Sequence, residues 1–305
     1  MKTSRILSTL ALGAVAIGCV TPGGRADPDE VAMAIESLLA ADRAFAAQAR
    51  TRNVTAGLSP MFADDVFLTA GPRHVRGRAE AVALLETNPE NATLRLEWSP
   101  IRAGMSSDGL HGFTLGYMSM RVSADSARPA KYLAYWIRGA DGWRVAVYRR
   151  VPRPPGDVQA TMLEPSRPTP ALPRGDAATV QRHAAELRAA EKAFSDEAQR
   201  IGLGPAFAKW GAPDAMNAGG GPAWVQGPAS IAEGVSAGLP ATGGPTLTWE
   251  SSEVIVAATG DLGVSIGYIT ISTPVPGETP RVRQQPFFTI WKRATPADPW
   301  RYVAE

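Results

Sequence analysis

The strongest constraint on the fold of this chain is an internal repeat. A stretch that runs from Trp98 to Tyr117 recurs without a gap between Trp249 and Tyr268. In both copies a turn containing glycine is followed by an apolar segment that ends in a Gly-Tyr pair. An ungapped recurrence of this length indicates one fold used twice, with each copy long enough to bury a core of its own.

The repeat and a proline-rich stretch between its copies divide the 305-residue chain into segments. The composition of that stretch is typical of an extended, semi-rigid linker and excludes a helix or a central strand. We therefore predict a signal segment, a tether, a first domain, a linker and a second domain, at residues 1–19, 20–30, 31–150, 151–176 and 177–305.

The N-terminus has the pattern of a secretory signal. Lys2 and Arg5 precede an apolar run that is short for a membrane span. Cys19, the single cysteine of the chain, follows small residues at the end of this run, which resembles the lipobox of bacterial lipoproteins. Lipidation of Cys19 is one prediction, and ordinary cleavage after Ala16 or Ala26 is the alternative. Both predict export, to the periplasm or to an anchored position at the outer membrane.

The two copies predict the same order of elements: a long helix, a small helix, a short strand, a third helix and four long strands. In the first copy, Asp27 and Pro28 form a helix start, and apolar residues then recur at helical spacing from Val31 to Ala49. The long strands are predicted near 93–103, 109–121, 130–139 and 143–150, and in the second copy near 246–257, 261–273, 284–293 and 299–304.

Short motifs accompany this order of elements. Gly77 and Gly227 precede the third helix of each copy, and the pairs Gly116-Tyr117 and Gly267-Tyr268 lie in the sheet. With this order and these motifs, nearly all of the chain after the tether resembles the nuclear-transport-factor-2-like superfamily. Within that superfamily it is most similar to the SnoaL-like proteins and to domain of unknown function 4440.

The resemblance implies an α+β fold of two tandem cystatin-like cones, each a curved antiparallel sheet wrapped around helices with a pocket at its open end. It implies little about activity, because members include isomerases, dehydratases, cyclases and hydrolases, and many only bind or associate. In ketosteroid-isomerase-like members an acidic base lies five residues beyond an Ala-Asp-Asp motif. Here Ala63-Asp64-Asp65 matches the motif, and the base position falls on Ala70, or near Gly219 in the second copy. Neither residue can take up a proton, which counts against isomerase chemistry. Whether the protein catalyses another reaction is left open.

Candidate ligand-binding residues recur in both copies. Asp42 and Glu191 lie at the edge of the buried face of the first helix, where a carboxylate either faces a cavity or accepts a hydrogen bond from an indole or an arginine. Tyr117 and Tyr268 lie in the central strand and either offer a hydroxyl to a ligand or pack. Four tryptophans at equivalent positions form either an aromatic lining or a structural girdle: Trp98, Trp136, Trp249 and Trp291.

The copies differ most in one loop, where His74 and Arg76 of the first copy are replaced by Trp224 and Gln226. An imidazole there is a candidate acid or base, and a guanidinium is a candidate anchor for an anionic ligand. His111 adds a second histidine to the first copy. We therefore expect the pocket mainly in the first domain.

Composition and motifs exclude several classes of partner. Thirty-one basic and 29 acidic residues are interleaved, without the basic cluster typical of nucleic-acid binding. No P-loop or Gly-x-Ser-x-Gly motif is present, and three histidines with one cysteine do not predict a metal site, so we expect no cofactor. The expected partner is a small apolar or weakly acidic molecule, with membrane contact only through an N-terminal lipid anchor. We also expect the two domains to form an internal pseudo-dimer.

Three functions follow from these features. The first is an exported small-molecule-binding protein whose ligand the sequence does not identify. The second is a lyase, isomerase or hydrolase that acts on a small hydrophobic substrate through His74, Asp42 or Tyr117. The third is a structural or interaction protein of the cell envelope.

Overall fold

The structure, a computed structural model, describes residues 28–121, 126–168, 171–240 and 244–305. The predicted signal segment and Cys19 lie outside these ranges. No helix among the described residues has the length and apolar composition needed to cross a membrane.

The first domain carries the predicted elements in the predicted order. The long helix begins at Pro28, and the apolar residues at helical spacing along it are buried against the sheet. Its elements are α1 (Pro28–Ala49), α2 (Val54–Leu58), β1 (Phe62–Ala70), β2 (Arg73–Arg76), α3 (Arg78–Glu86), β3 (Arg95–Met105), β4 (His111–Arg121), β5 (Ala127–Gly139) and β6 (Gly142–Pro152).

The second domain repeats this arrangement. Its long helix has Asp176 as N-cap, whose side chain accepts a hydrogen bond from the backbone N–H of Thr179 at 2.8 Å. Its elements are α4 (Ala177–Ile201), α5 (Leu203–Trp210), β7 (Gly211–Asn217), β8 (Val225–Gln226), α6 (Pro228–Ser236), β9 (Thr246–Val256), β10 (Leu262–Thr273), β11 (Arg281–Lys292) and β12 (Arg301–Ala304).

Within the described residues each domain has one six-stranded sheet. The strand orders are β2-β1-β6-β5-β4-β3 and β8-β7-β12-β11-β10-β9, which are equivalent. The four long strands of each sheet pair antiparallel, whereas β1 pairs with β6, and β7 with β12, in parallel. The α+β fold expected from the sequence is confirmed. Each sheet is mixed, not purely antiparallel as expected, because a helix and four strands separate the two strands that pair in parallel.

One face of each sheet covers its own long helix, and the opposite faces of the two sheets pack against each other. We call this contact the sheet interface. Phe113 and Leu115 from β4 meet Ile266 from β10 and Phe288 from β11 in one buried cluster. Burial of side chains of this size stabilises a fold by about 1.5–3 kcal/mol each. The sheet interface is therefore a hydrophobic core shared by both domains.

The Gly-Tyr pairs occur where a neighbouring strand bulges toward the central strand of each sheet. A Cβ atom on Gly116 would lie 2.1 Å from the carbonyl oxygen of Ser99, and one on Gly267 would lie 1.9 Å from that of Glu250. The registers of β3 and β9 shift at these points. Only glycine permits this approach of two backbones, which explains why the motif recurs in both copies.

The proline-rich linker follows the edge of the first sheet. The backbone N–H of Leu163 donates to the carbonyl of Ile101 at 2.7 Å, and that of Ser166 donates to the carbonyl of Ala103 at 2.8 Å. These bonds occupy backbone acceptors of the edge strand β3, which would otherwise be open to pairing with another chain. The linker therefore has a structural role beyond joining the domains.

A buried lysine also joins the two domains. Lys131 of β5 is 1% exposed, and its Nζ donates to the carbonyl oxygens of Ala218, Gly221 and Ala223 in the second domain, at 2.7 Å and 2.6 Å for the last two. Three acceptors match the three protons of an ammonium group. Backbone dipoles thus stabilise a buried charge that has no carboxylate partner among the described residues.

Replacement of Lys131 by methionine is expected to weaken the contact between the domains. The substitution keeps the length of the side chain but leaves three carbonyl oxygens without their donor, which we expect to cost about 3 kcal/mol of the free energy of unfolding. Urea denaturation measures the change. The matched control is Lys192→Met, because Lys192 is exposed and pairs only with Asp196; it should change the free energy by less than about 0.5 kcal/mol. Equal effects of the two substitutions would contradict the prediction.

Candidate functional site

The carboxylate of Asp42 is a fully buried hydrogen-bond acceptor in the first domain. Its Oδ1 accepts from the Trp98 indole N–H at 2.6 Å, and its Oδ2 accepts from the Tyr132 hydroxyl at 2.8 Å. Burial raises the pKa of Asp42 above its ordinary value, although these hydrogen bonds oppose the shift. Of the two roles that the sequence left open, Asp42 has that of an acceptor for an indole.

Glu191 has the equivalent position in the second domain. Its Oε1 accepts from the Trp249 indole N–H at 2.6 Å, and its Oε2 accepts from the Trp291 indole N–H at 3.0 Å and from the Ser265 hydroxyl. Burial raises the pKa of Glu191 to about 7. Near neutral pH this carboxyl group is therefore partly protonated and can give up or take a proton.

The interiors of the two domains differ around these acids. Strand registers make Tyr132 of the first domain equivalent to Phe287, and Tyr148 equivalent to Glu305. In the first domain both tyrosines are buried, and the Tyr132 hydroxyl fills the space beside Asp42. The phenyl ring and the carboxylate in the second domain are shorter, and they leave the corresponding space open.

A cavity of about 340 Å³ reaches the buried acid of the second domain. Its apolar wall comes from α5, α6 and the concave face of the sheet, and polar groups lie within that wall. We expected a pocket mainly in the first domain, and this cavity shows that the second domain has one as well. The apolar wall includes Leu203, Phe207, Val235, Leu247, Ile269 and Phe287, and the polar groups are Glu191, Asn217, Thr289, Glu305 and Arg149. We call it the second-domain cavity.

A second carboxylate, that of Glu305, lines the second-domain cavity. Its Oε1 accepts from the Asn217 side-chain amide at 2.5 Å, and its Oε2 accepts from the Thr289 hydroxyl at 3.4 Å. Burial raises the pKa of Glu305, and the nearby Arg149 opposes that shift. The charge of Glu305 in turn contributes to the raised pKa of Glu191. The two carboxyl groups therefore titrate as interacting neighbours.

The first domain supplies the cation of the second-domain cavity. Arg149 extends from β6 across the sheet interface, and its guanidinium lies 5.5 Å from the centre of the Phe288 ring. Among the described residues its Nε has no hydrogen-bond partner. Burial lowers the pKa of Arg149, and the charge of Glu305 opposes that shift. The wall of the cavity thus contains a guanidinium whose Nε donates to no described residue.

His74 lies at the sheet interface, away from the second-domain cavity. Its Nε2 lies 2.9 Å from the carbonyl oxygen of Gly267, and its Nδ1 lies 2.8 Å from the Thr69 hydroxyl. A carbonyl only accepts, so Nε2 carries the proton and Nδ1 accepts from Thr69. Burial lowers the pKa of His74, which favours the neutral ring. Both ring nitrogens are occupied, so the imidazole has no free position at which to act as a base.

Trp224, which replaces His74 in the second copy, forms the symmetry-related contact. Its indole N–H donates to the carbonyl of Gly116 at 3.1 Å, and its backbone N–H donates to the Tyr117 hydroxyl at 3.3 Å. The backbone N–H of His74 likewise donates to the Tyr268 hydroxyl at 3.2 Å. Tyr117 and Tyr268, predicted as pocket residues, therefore have their hydroxyls at the sheet interface.

Arg76 is exposed and lies 5.1 Å from the centre of the Phe67 ring, with an ion pair to Glu253 at 3.7 Å. It does not face the second-domain cavity.

The structure separates the predicted ligand-binding residues into three groups. Glu191 and Trp249 line the second-domain cavity; Asp42, Trp98 and Trp136 belong to the core of the first domain; His74, Arg76, Tyr117 and Tyr268 lie at or beside the sheet interface.

Sequence reasoning missed Arg149, Asn217 and Glu305. A register-by-register comparison of the repeats contains one signal, the replacement of Tyr148 by Glu305 at an interior position. The contribution of Arg149 has no such signal, because it comes from the other domain. The described residues contain no group of three side chains that could hold a metal ion.

The sequence matches no family model and no curated protein. Several solved structures are similar to it. One is an NTF2-like protein with a cystatin-like fold from Novosphingobium aromaticivorans, with 16% identity over 42% of this chain and 90% of that chain and a TM-score of 0.33. Another is a domain of unknown function with a cystatin-like fold from Nostoc punctiforme, with 17% identity over 38% and 77% and a TM-score of 0.33. A third is a protein of unknown function from Mycobacterium tuberculosis, with 17% identity over 42% and 78% and a TM-score of 0.34.

The first two of these proteins have a cystatin-like fold, and the first is NTF2-like, as the resemblance in the sequence led us to expect. Each match covers about the length of one domain. The fold itself rests on the strand order and helix placement described above, and likeness at this level carries no information about activity. The fold and the site together define a two-domain α+β protein with one polar-lined apolar cavity beside a buried glutamate.

The raised pKa of Glu191 predicts a pH-dependent stability. The pKa rises from an ordinary 4.5 to about 7 on folding, so between these values the folded chain binds more protons than the unfolded chain. Stability should therefore fall by about 3 kcal/mol as the pH rises from about 4.5 to 7.5. In urea denaturation at a series of pH values, Glu191→Gln should remove the part of the pH dependence of the unfolding free energy that belongs to Glu191. Asp42→Asn is the matched variant in the first domain. A slope that Glu191→Gln leaves unchanged would show that the carboxyl is ionised throughout.

Proposed function

We propose that this protein binds a small, largely apolar molecule that carries one polar group, in the second-domain cavity. The observation that supports this most directly is the opening of the domain interior beside Glu191, where the equivalent interior of the first domain is filled by Tyr132. Maintenance of such a space costs stability, because its lining loses packing contacts. A ligand that fills the space would restore those contacts.

The size and lining of the second-domain cavity support a small ligand. A volume of about 340 Å³ falls in the range of small-molecule pockets, about 300–1,000 Å³. Apolar walls with a few convergent polar groups are the usual composition of such sites, since the walls provide affinity and the polar groups fix orientation.

The polar groups support a ligand with an oxygen acceptor. Arg149 contributes a buried nitrogen without a partner, and a protonated Glu191 has one O–H to donate. Both are donors, so a carbonyl, hydroxyl or carboxyl oxygen on the ligand would satisfy them. A weakly acidic apolar molecule, the partner expected from the sequence, has this chemistry.

Catalysis on the same ligand is the second candidate function. A carboxyl group with a pKa of about 7 has the value that general acid–base chemistry requires at neutral pH. Glu191 already accepts three hydrogen bonds, from Trp249, Trp291 and Ser265, so protein groups occupy its oxygens and hinder proton exchange with a ligand. Binding without turnover is therefore the function that the geometry supports best. An interaction protein of the envelope is the remaining alternative.

A neutral apolar probe, N-phenyl-1-naphthylamine, tests the proposal. Its fluorescence should rise when the native protein takes it up, and Ile269→Trp, which fills the second-domain cavity, should weaken its binding at least about tenfold, or about 1.4 kcal/mol. The matched control Val282→Trp places the same ring at a position that is 64% exposed and should leave binding unchanged. Native mass spectrometry of protein purified from its own envelope would then give the mass of any retained ligand. Probe uptake that Ile269→Trp leaves intact would overturn the assignment.

We also propose that binding takes place outside the cytoplasm, on a protein anchored through Cys19. The proposal rests on the charged start, the apolar run and the position of the single cysteine. The chain should incorporate labelled palmitate in a bacterial host, and Cys19→Ser should abolish the label. An unlabelled, processed chain would instead support ordinary cleavage after Ala16 or Ala26, and a chain retained whole in the cytoplasm would contradict export.

A further inference from the structure

A separate opening exists in the first domain, between α2, α3 and the ends of β1 and β6. It has a volume of about 490 Å³ and shares no lining residue with the second-domain cavity. We call it the first-domain cavity. Its walls are largely apolar, and they include Leu58, Leu68, Leu84, Met120 and Tyr148.

The guanidinium of Arg150 lies in the wall of the first-domain cavity. Among the described residues its Nη1 has no hydrogen-bond partner, although that atom is buried. Its Nη2 lies 3.5 Å from Oδ1 of Asn91, at the limit of a hydrogen bond. Asn91 is 3% exposed and is held by its own side-chain bond to the carbonyl of Leu85 at 2.6 Å. Asn91 therefore orients the guanidinium, but the described residues do not accept all of its hydrogen bonds.

The charges around the first-domain cavity are of one sign. Arg150 and Arg73 line it, and no carboxylate is among its described lining residues. The nearby Glu90 forms a bidentate ion pair with Arg128 at 2.6 Å and 2.9 Å. Burial lowers the pKa of Arg150 from its ordinary value, and no described carboxylate pairs with it to oppose that shift. Arg150 is half-buried and its Nη1 has no described partner, so an anion from outside the chain would complete its hydrogen bonds.

We propose that the first-domain cavity binds the carboxylate of a small apolar acid, with Arg150 as the residue that recognises the anion. A guanidinium presents parallel N–H donors that match the two oxygens of a carboxylate. The apolar walls provided by Leu58, Leu84 and Met120 fit a hydrocarbon or aromatic body attached to that group. Of the two described arginines that line the cavity, Arg73 is exposed and Arg150 is half-buried. One half-buried guanidinium matches a monoanion better than a phosphate dianion, which needs more donors.

Calorimetric titration with octanoate and with octan-1-ol tests this assignment. The two probes have the same chain length and differ in charge. Octanoate should bind the native protein, and Arg150→Met should weaken its affinity at least about tenfold because hydrogen bonds to a charged group are lost. The affinity for octan-1-ol should stay the same or rise. The matched control is Arg144→Met on the same strand, because Arg144 lies outside the first-domain cavity and stacks on Phe45; it should leave octanoate binding unchanged.

Thermal unfolding separates recognition from a structural role. Removal of an unpaired buried charge should leave the melting temperature of Arg150→Met equal to or above that of the native protein without ligand. A structural arginine would lower it. Arg150→Lys is the second variant. It keeps the charge and loses the paired donors, so octanoate should bind it more weakly than the native protein and more tightly than Arg150→Met.

The two cavities are distinguished by crossing the variants. Ile269→Trp should leave intact the octanoate binding that depends on Arg150, and Arg150→Met should leave uptake of N-phenyl-1-naphthylamine intact. Octanoate binding that survives Arg150→Met and disappears in Ile269→Trp would place the acid in the second-domain cavity and overturn the proposal. The absence of any heat or ¹³C-carboxyl shift for octanoate on the native protein at millimolar concentration would overturn it as well.

Discussion

Burial of the two sheet faces against each other is the contact on which the rest of the structure depends. Phe113 and Leu115 on one side and Ile266 and Phe288 on the other remove a wide apolar surface from water. A sheet has two faces, so commitment of one face to the other domain leaves the opposite face for the helix and the interior. The sheet interface thereby decides which side chains can reach a cavity. It also brings Arg149 of the first domain into the lining of the second-domain cavity.

Both copies bury an acid in the same place, yet only the second leaves space beside it. Asp42 is satisfied by Trp98 and by the Tyr132 hydroxyl, which also fills the interior. Glu191 keeps the indole bond to Trp249, but Phe287 stands where the tyrosine would be and provides no hydroxyl. The shared acid therefore organises the core in one domain, and in the other it is also part of a cavity wall. The two copies of one fold therefore have different interiors because a few side chains differ between them.

Three cationic side chains on neighbouring strands, one buried and two half-buried, differ in the partners of their charged groups. Lys131 has three carbonyl acceptors and ties the domains together. Arg149 and Arg150 each keep a buried nitrogen without a partner, and each lines a cavity. A cation whose N–H donors are all hydrogen-bonded within the protein has a structural role, because it has no donor left for a ligand. The unsatisfied groups are the ones that a ligand can complete, and their positions indicate where ligands would enter each domain.

The sequence by itself determined the duplication, the order of elements and the α+β fold. Those features depend on local periodicity and on glycines such as Gly116 and Gly267, whose backbones approach a neighbour too closely for a side chain. The sequence did not determine which face of a strand points toward the domain interior, because side chains alternate in the same way on either face of a sheet. Tyr117, Tyr268 and His74 therefore went to the sheet interface rather than to a pocket. The registers that place Glu305 beside Glu191, and the packing that carries Arg149 across domains, join residues far apart in the chain, and only the tertiary structure decided them.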